Sequence, residues 1–115
     1  MSYMKNVLFI CSRNRLRSPT AEQVFSSYPG VETSSAGVDH DADNPVTSEL
    51  LEWADLVFVM EAMHRRKLQK KFRTALNGKR IICLGIPDDF EFMDPALVQL
   101  LQSKVPPFLP AAVAR

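Results

Sequence analysis

Three strongly apolar runs and a weaker fourth divide the chain, and the stretches between them carry helical spacing. "NVLFIC" (6–11) is apolar without alternation, the pattern of a strand covered on both faces. "DLVFVM" (55–60) and "RIICLGI" (80–86) share that β-branched, buried character, and "VETSSAG" (31–37) is the weaker strand. After Ser18, the residues Ala21, Val24, Phe25 and Tyr28 recur at i, i+3, i+4 and i+7, which predicts a helix. Ser18 fits its N-cap, Pro19 its first position and Glu22 its first turn, and Pro29-Gly30 ends it. Further helices are predicted over 47–54, over 62–72 with Leu68 and Phe72 on one face, and over "PALVQLLQSKV". Asp94 is the N-cap of the last and Pro95 its first residue. "PPFLP" cannot continue regular helix, so 106–115 is expected to form an extended C-terminal tail on the surface.

Strand and helix thus alternate four times with short connections. That order predicts an α/β fold: a four-stranded parallel sheet with helices on both faces. At 115 residues the chain is expected to form a single domain, 1–115, without internal repeats. The formal net charge of +1 gives no general attraction to nucleic acid or to a membrane, and neither is an expected partner. The charge is uneven, with eight of the fourteen Lys and Arg between Arg65 and Arg80. That stretch reads first as a solvated helix face. Two cysteines do not make a disulfide framework and fit a reducing, cytoplasmic setting. The apolar runs are too short for a signal peptide or a membrane span.

The chemistry gathers at "CSRNRLRSPTAE" (11–22). Ligands of open parallel sheets sit beyond the carboxyl ends of the strands. Cys11 ends the first strand, and a helix starts near Ser18. The loop between them, from Ser12 to Arg17, can turn its N–H groups toward one point, where the helix N-terminus adds positive potential. Such potential favours a thiolate, and a thiolate facing a bound phosphoryl group is an aimed nucleophile. Arg17 can clamp two phosphoryl oxygens, and Ser18 can donate to the thiolate. Asn14 suits the left-handed backbone of a tight loop.

Cys11, five intervening residues, Arg17 and Ser18 form the C-x5-R-S signature of cysteine-dependent phosphatases. With the strand before it, Asn14 within it and "RSPTAE" after it, the segment resembles the low-molecular-weight protein tyrosine phosphatases. "SSAG" (34–37), "DLVFVME" (55–61) and "LGIPDDF" (84–90) extend the resemblance over nearly the whole chain, which reads as a short variant. The resemblance implies a flavodoxin-like sheet of order 2-1-3-4, a cysteinyl-phosphate intermediate and no metal or cofactor. The implied catalytic residues are Cys11, Arg17 and Asp88. Ser12, Arg13, Asn14, Arg15, Leu16 and Ser18 would line or shape the phosphate loop, and Phe90 would wall the substrate pocket. Ser35 would support Asn14. The implied partner is a phosphorylated substrate, a phosphotyrosine protein or a small aryl phosphate, and phosphate or sulfate would occupy the loop.

The departures are specific. Asp89 replaces the proline of the family's Asp-Pro-aromatic acid loop, so Asp88 ranks first as general acid, Asp89 second and Asp94 third. Arg13 stands where the family usually has glycine, and Arg15 adds a charge. These two either point away as solvated side chains or raise the field at the pocket mouth. Leu16 takes the place of the family's second loop cysteine. Only His40 and Asp41 stand near the place of its other substrate-contacting aromatic. His64 and Trp53 read as packing or surface residues, and Cys83 as a buried hydrophobe. Two alternatives stay open: a thioredoxin-coupled arsenate reductase using Cys83 as a resolving thiol, and a non-catalytic module binding phosphate or nucleic acid through its arginines.

Overall fold

The computed structural model describes residues 4–110. Four strands, β1 (Lys5–Cys11), β2 (Val31–Gly37), β3 (Leu56–Val59) and β4 (Arg80–Cys83), form one parallel sheet in the order β2-β1-β3-β4. This is the predicted topology. Helices α1 (Arg17–Phe25), α2 (Ser48–Trp53), α3 (Ala62–Lys71) and α4 (Pro95–Lys104) alternate with the strands.

The unbroken apolar character of β1 follows from its place in the centre. Val7, Phe9 and Cys11 face a core with Ala21 and Phe25 of α1 and Leu97 and Leu101 of α4. Leu8 and Ile10 face the opposite core, with Leu51 of α2 and Leu68 of α3. Phe9 stacks between Phe25 and Phe58, with ring centroids 5.9 and 5.3 Å away. Burying a side chain of this size contributes about 1.5–3 kcal/mol. Removing it would leave a cavity against both neighbouring elements.

The helix after the loop that follows β1 departs from expectation at its start. It begins at Arg17, with Leu16 in the cap position and no side-chain cap. Ser18 is therefore not the N-cap. Its hydroxyl is fully buried and engaged by Cys11 and Asn14 instead. Pro19 falls within the first turn, where an N–H would have no intrahelical partner in any case. The helix also stops at Phe25, and Tyr28 closes the following turn by donating to the Phe25 carbonyl at 3.0 Å. The expected N-cap of α4 is in place, with Asp94 accepting from the Ala96 N–H, and Thr47, read from sequence as the first residue of α2, instead caps it by accepting from the Leu50 N–H.

The expected C-terminal tail folds in part. Pro106–Phe108 makes a 3-10 turn, and Leu109 is buried in the core shared with α1 and α4. Phe108 meets Phe58 edge-on at 6.0 Å. Apolar contacts hold this segment down although its prolines exclude regular helix. Residues 111–115 of the expected tail lie outside the described residues.

Candidate active site

The order β2-β1-β3-β4 places the switch point of the sheet between β1 and β3, at the carboxyl end of β1. There the loop 12–16 forms the floor of a cleft of about 500 Å³. Cys11, Ser12, Arg13, Arg15, Leu16 and Arg17 line it, with Asp39 and Asp88 opposite.

Buried polar contacts hold the loop under the cleft. Asn14 has φ of 59°, the left-handed conformation expected of it. Its N–H donates to Cys11 Sγ at 3.3 Å. Its side-chain amide donates to Ser18 Oγ and to Ser35 Oγ, both at 2.9 Å. Ser35 in turn donates to the Glu22 carboxylate. Ser18 Oγ lies 3.0 Å from Cys11 Sγ. The Ser18 hydroxyl accepts from Asn14, and its one proton has two acceptors in reach, the sulfur at 3.0 Å and the Ala36 carbonyl at 3.4 Å. Gly37 makes the close packing possible. A Cβ there would sit 2.5 Å from the Ser12 carbonyl oxygen and 2.6 Å from Ala42 Cβ.

Arg17 is 2% exposed, so its charge needs partners. Nη1 donates to Glu61 Oε1 at 2.8 Å and to the Ile86 carbonyl at 2.7 Å. These contacts tie the guanidinium to the ends of β3 and β4. Nε is buried without a hydrogen-bond partner and lies 3.6 Å from Asp88 Oδ1. The fork is thus fixed on one side and has an unused donor beside the thiol's cleft.

Glu61 and His64 enter the site from the start of α3, and reading the sequence missed both. Glu61 accepts from the His64 backbone N–H, while its own N–H donates to His64 Nδ1 at 3.0 Å. With Nδ1 accepting, the ring proton sits on Nε2, which donates to Ser12 Oγ at 3.0 Å. Burial, then the nearby Arg17 charge, holds the pKa of His64 down at about 4. The imidazole is neutral at physiological pH and links the loop 12–16 to Glu61 and so to Arg17. One signal was available for Glu61. It directly follows the third strand, at the carboxyl edge where ligands of such sheets bind.

The acid-loop residues separate. Asp88 lines the cleft with its side chain 66% exposed, whereas Asp89 is exposed outside the lining. Asp94 caps α4. Phe90 does not wall the cleft as expected. Its ring packs partly against the core shared with α1 and α4, where it gains burial, and Phe92 is the exposed aromatic of the loop. Arg13 and Arg15 both reach the cleft mouth. Arg15 pairs with Asp43 at 3.3 Å, while Arg13 has no ion pair among the described residues. Cys83 is half-buried and packs against the core facing α2 and α3, on the opposite side of the sheet from Cys11; both thiols are free.

No protein-family model matches the sequence. The chain is 32% identical to a protein-arginine-phosphatase of Bacillus subtilis, an alignment covering 58% of this chain and 63% of that protein. It therefore spans somewhat less than two thirds of that relative's length. Among solved structures, the tyrosine phosphatase Wzb from Escherichia coli K30, determined in complex with phosphate, superposes with a TM-score of 0.70 at 27% identity. That match covers 88% of this chain and 93% of the other. A low-molecular-weight protein tyrosine phosphatase from Streptococcus pyogenes shares the fold, with a TM-score of 0.75 at 18% identity over 94% and 95% of the two chains. The chain thus has the fold of a low-molecular-weight protein tyrosine phosphatase, and in sequence it is similar to a protein-arginine-phosphatase and to the tyrosine phosphatase Wzb.

Proposed function

We propose that the protein is a cysteine-dependent phosphomonoesterase that works through a cysteinyl-phosphate intermediate. The observation that carries this reading is the buried Arg17 Nε, without a hydrogen-bond partner, in the cleft whose floor holds the Cys11 thiol. Cys11 attacks phosphorus in line while Arg17 and N–H groups of the loop 12–16 other than that of Asn14, which is bonded to the sulfur, hold the phosphoryl oxygens. Charge that spreads onto those oxygens in the transition state meets donors already in place. Asp88 protonates the leaving oxygen. It then takes a proton from the water that hydrolyses the cysteinyl-phosphate, which returns the thiolate and releases phosphate. Asp88 is preferred over Asp89 because it alone of the two lines the cleft. Asn14, Ser18 and Ser35 are positioning residues for the loop, and His64 and Glu61 position Ser12 and Arg17.

The proposed substrate is a phosphotyrosine protein or a small aryl phosphate, met in a reducing cytoplasm that keeps Cys11 free. No helix among the described residues is long and apolar enough to cross a membrane. A phosphoarginine protein is a second reading, favoured by the name of the Bacillus relative. Arsenate reduction through Cys83 is disfavoured, since the two thiols face opposite cores.

Phosphotyrosine and phosphoarginine peptides and an activated aryl phosphate, assayed with wild type and Cys11→Ser, test the reading. Turnover is expected for wild type alone. Undiminished turnover by Cys11→Ser would overturn the mechanism. Phosphopeptide binding that survives Cys11→Ser, with no wild-type turnover, would point to a non-catalytic binding module.

A further inference from the structure

Beside the cleft runs a second groove of about 470 Å³, and the two share one wall residue, Asp39. The Asp39 N–H donates to the Ser12 carbonyl of the phosphate loop at 3.0 Å, and its carboxylate takes Lys67 Nζ at 3.3 Å. A single residue therefore separates the thiol's cleft from the groove. The half-buried Val38 and Phe72 give the groove apolar surface, and the exposed Lys67, Lys70 and Lys71 give it positive charge. The three lysines stand at i, i+3 and i+4 of α3, so they share one helix face. His40 lies on the other wall.

We propose that this groove holds the acidic segment next to the phosphorylated residue of a protein substrate. The proposal rests on the phosphatase reading and adds the class of sequence the site selects. A phosphorylated side chain seated over Cys11 belongs to a chain that must leave the cleft, and crossing Asp39 brings it into the groove. Three ammonium groups favour carboxylates there, and the apolar surface takes one apolar side chain. Exposed pairs such as Lys67–Asp39 are weak, so Lys67 can exchange its partner for a substrate carboxylate. The basic stretch that reads in sequence as a solvated helix face thus acquires a ligand through its neighbour rather than through its own composition.

The test compares kcat/KM for phosphopeptides that differ only in acidic, neutral or basic flanks, with a small aryl phosphate as the substrate that does not reach the groove. At low salt the acidic peptide should exceed the neutral one by roughly five- to tenfold, and high salt should remove most of that difference. The double variant Lys70→Gln, Lys71→Gln should remove it as well while aryl phosphate turnover stays near wild type. Equal turnover of acidic and neutral peptides, or a preference that survives both salt and the double variant, would overturn the proposal. So would a single-stranded oligonucleotide that competes better than the acidic peptide. Peptide affinities of Cys11→Ser give an independent readout. An acidic preference in binding without any aryl phosphate turnover by wild type would sink the phosphatase reading and leave the groove standing.

Discussion

The loops that follow β1 and β4 meet at one cleft but are built to opposite specifications. The first is held by buried polar contacts: Asn14 to Ser18 and Ser35, Ser12 to His64, and Arg17 to Glu61 and the Ile86 carbonyl. The second presents Asp88, Asp89, Glu91, Phe92 and Met93 to solvent. It is tied to the first helix by the Met93 N–H, which donates to Thr20 at 2.9 Å. The contrast fits the two tasks proposed for these loops. Oxyanion stabilisation gains most from donors that need no rearrangement as charge develops. A proton donor must reach a leaving oxygen and later a water, so it works from a more accessible position.

The largest expected effect comes from removing the fixed side's charge. Arg17→Ala should lower kcat/KM by about a thousandfold or more on every substrate, because transition-state charge loses its clamp. Arg17→Lys should recover little of this, since a point charge cannot reproduce the fork. Near-wild-type kinetics for Arg17→Lys would show that the fork geometry is not used.

On the exposed side, Asp88→Ala should cost about a hundredfold on a substrate with a poor leaving group. The loss in kcat/KM should be much smaller with an activated aryl phosphate, whose leaving group needs no proton, while kcat falls because hydrolysis of the intermediate lacks its base. Asp89→Ala should change neither rate much. The reverse pattern would move the acid to Asp89.

Gly37→Ala probes how tightly the first loop is packed. Its new methyl would meet the Ser12 carbonyl and Ala42. Overpacking of this kind costs about 1–3 kcal/mol, and a fall in Tm with a matching loss of kcat/KM is expected. Unchanged melting and kinetics would mean that the loop yields easily, against the contrast drawn between the two loops.

The smallest effect is a pH dependence. His64 is neutral when folded, with its pKa lowered to about 4 from the ordinary 6.5. The unfolded chain therefore binds the extra proton first. Stability from this residue is complete above about pH 6.5 and is lost as the pH falls toward 4, by roughly 2 kcal/mol after discounting for solvent screening. Denaturant titrations between those limits should show a slope for wild type that flattens in His64→Asn. An equal slope in both would assign the acid sensitivity elsewhere.

The sequence revealed the sheet because its central strands, β1 and β3, are buried on both faces and its helices keep their spacing. It pointed to Cys11, Asn14 and Arg17, which the fold brings together, because they are contiguous in the chain. Ser18 misled as a helix cap because a local capping signal and a long-range hydrogen bond use the same hydroxyl. His64 lies 52 residues from Ser12, and no local pattern announces such a contact. Phe90 and Phe92 differ by the direction in which one exposed loop turns, which sequence spacing does not determine. Arg13 and Arg15 were open between two orientations, and both line the cleft mouth.

The central claim is that Cys11 carries the phosphoryl group. Rapid acid quenching during turnover of an aryl phosphate, followed by proteolysis and mass spectrometry, tests it most directly. One added phosphoryl group is expected on the peptide containing Cys11, accumulating in Asp88→Ala with an activated substrate because hydrolysis of the intermediate then lacks its base. Steady turnover with no phosphorylated Cys11 peptide in either protein would contradict the account.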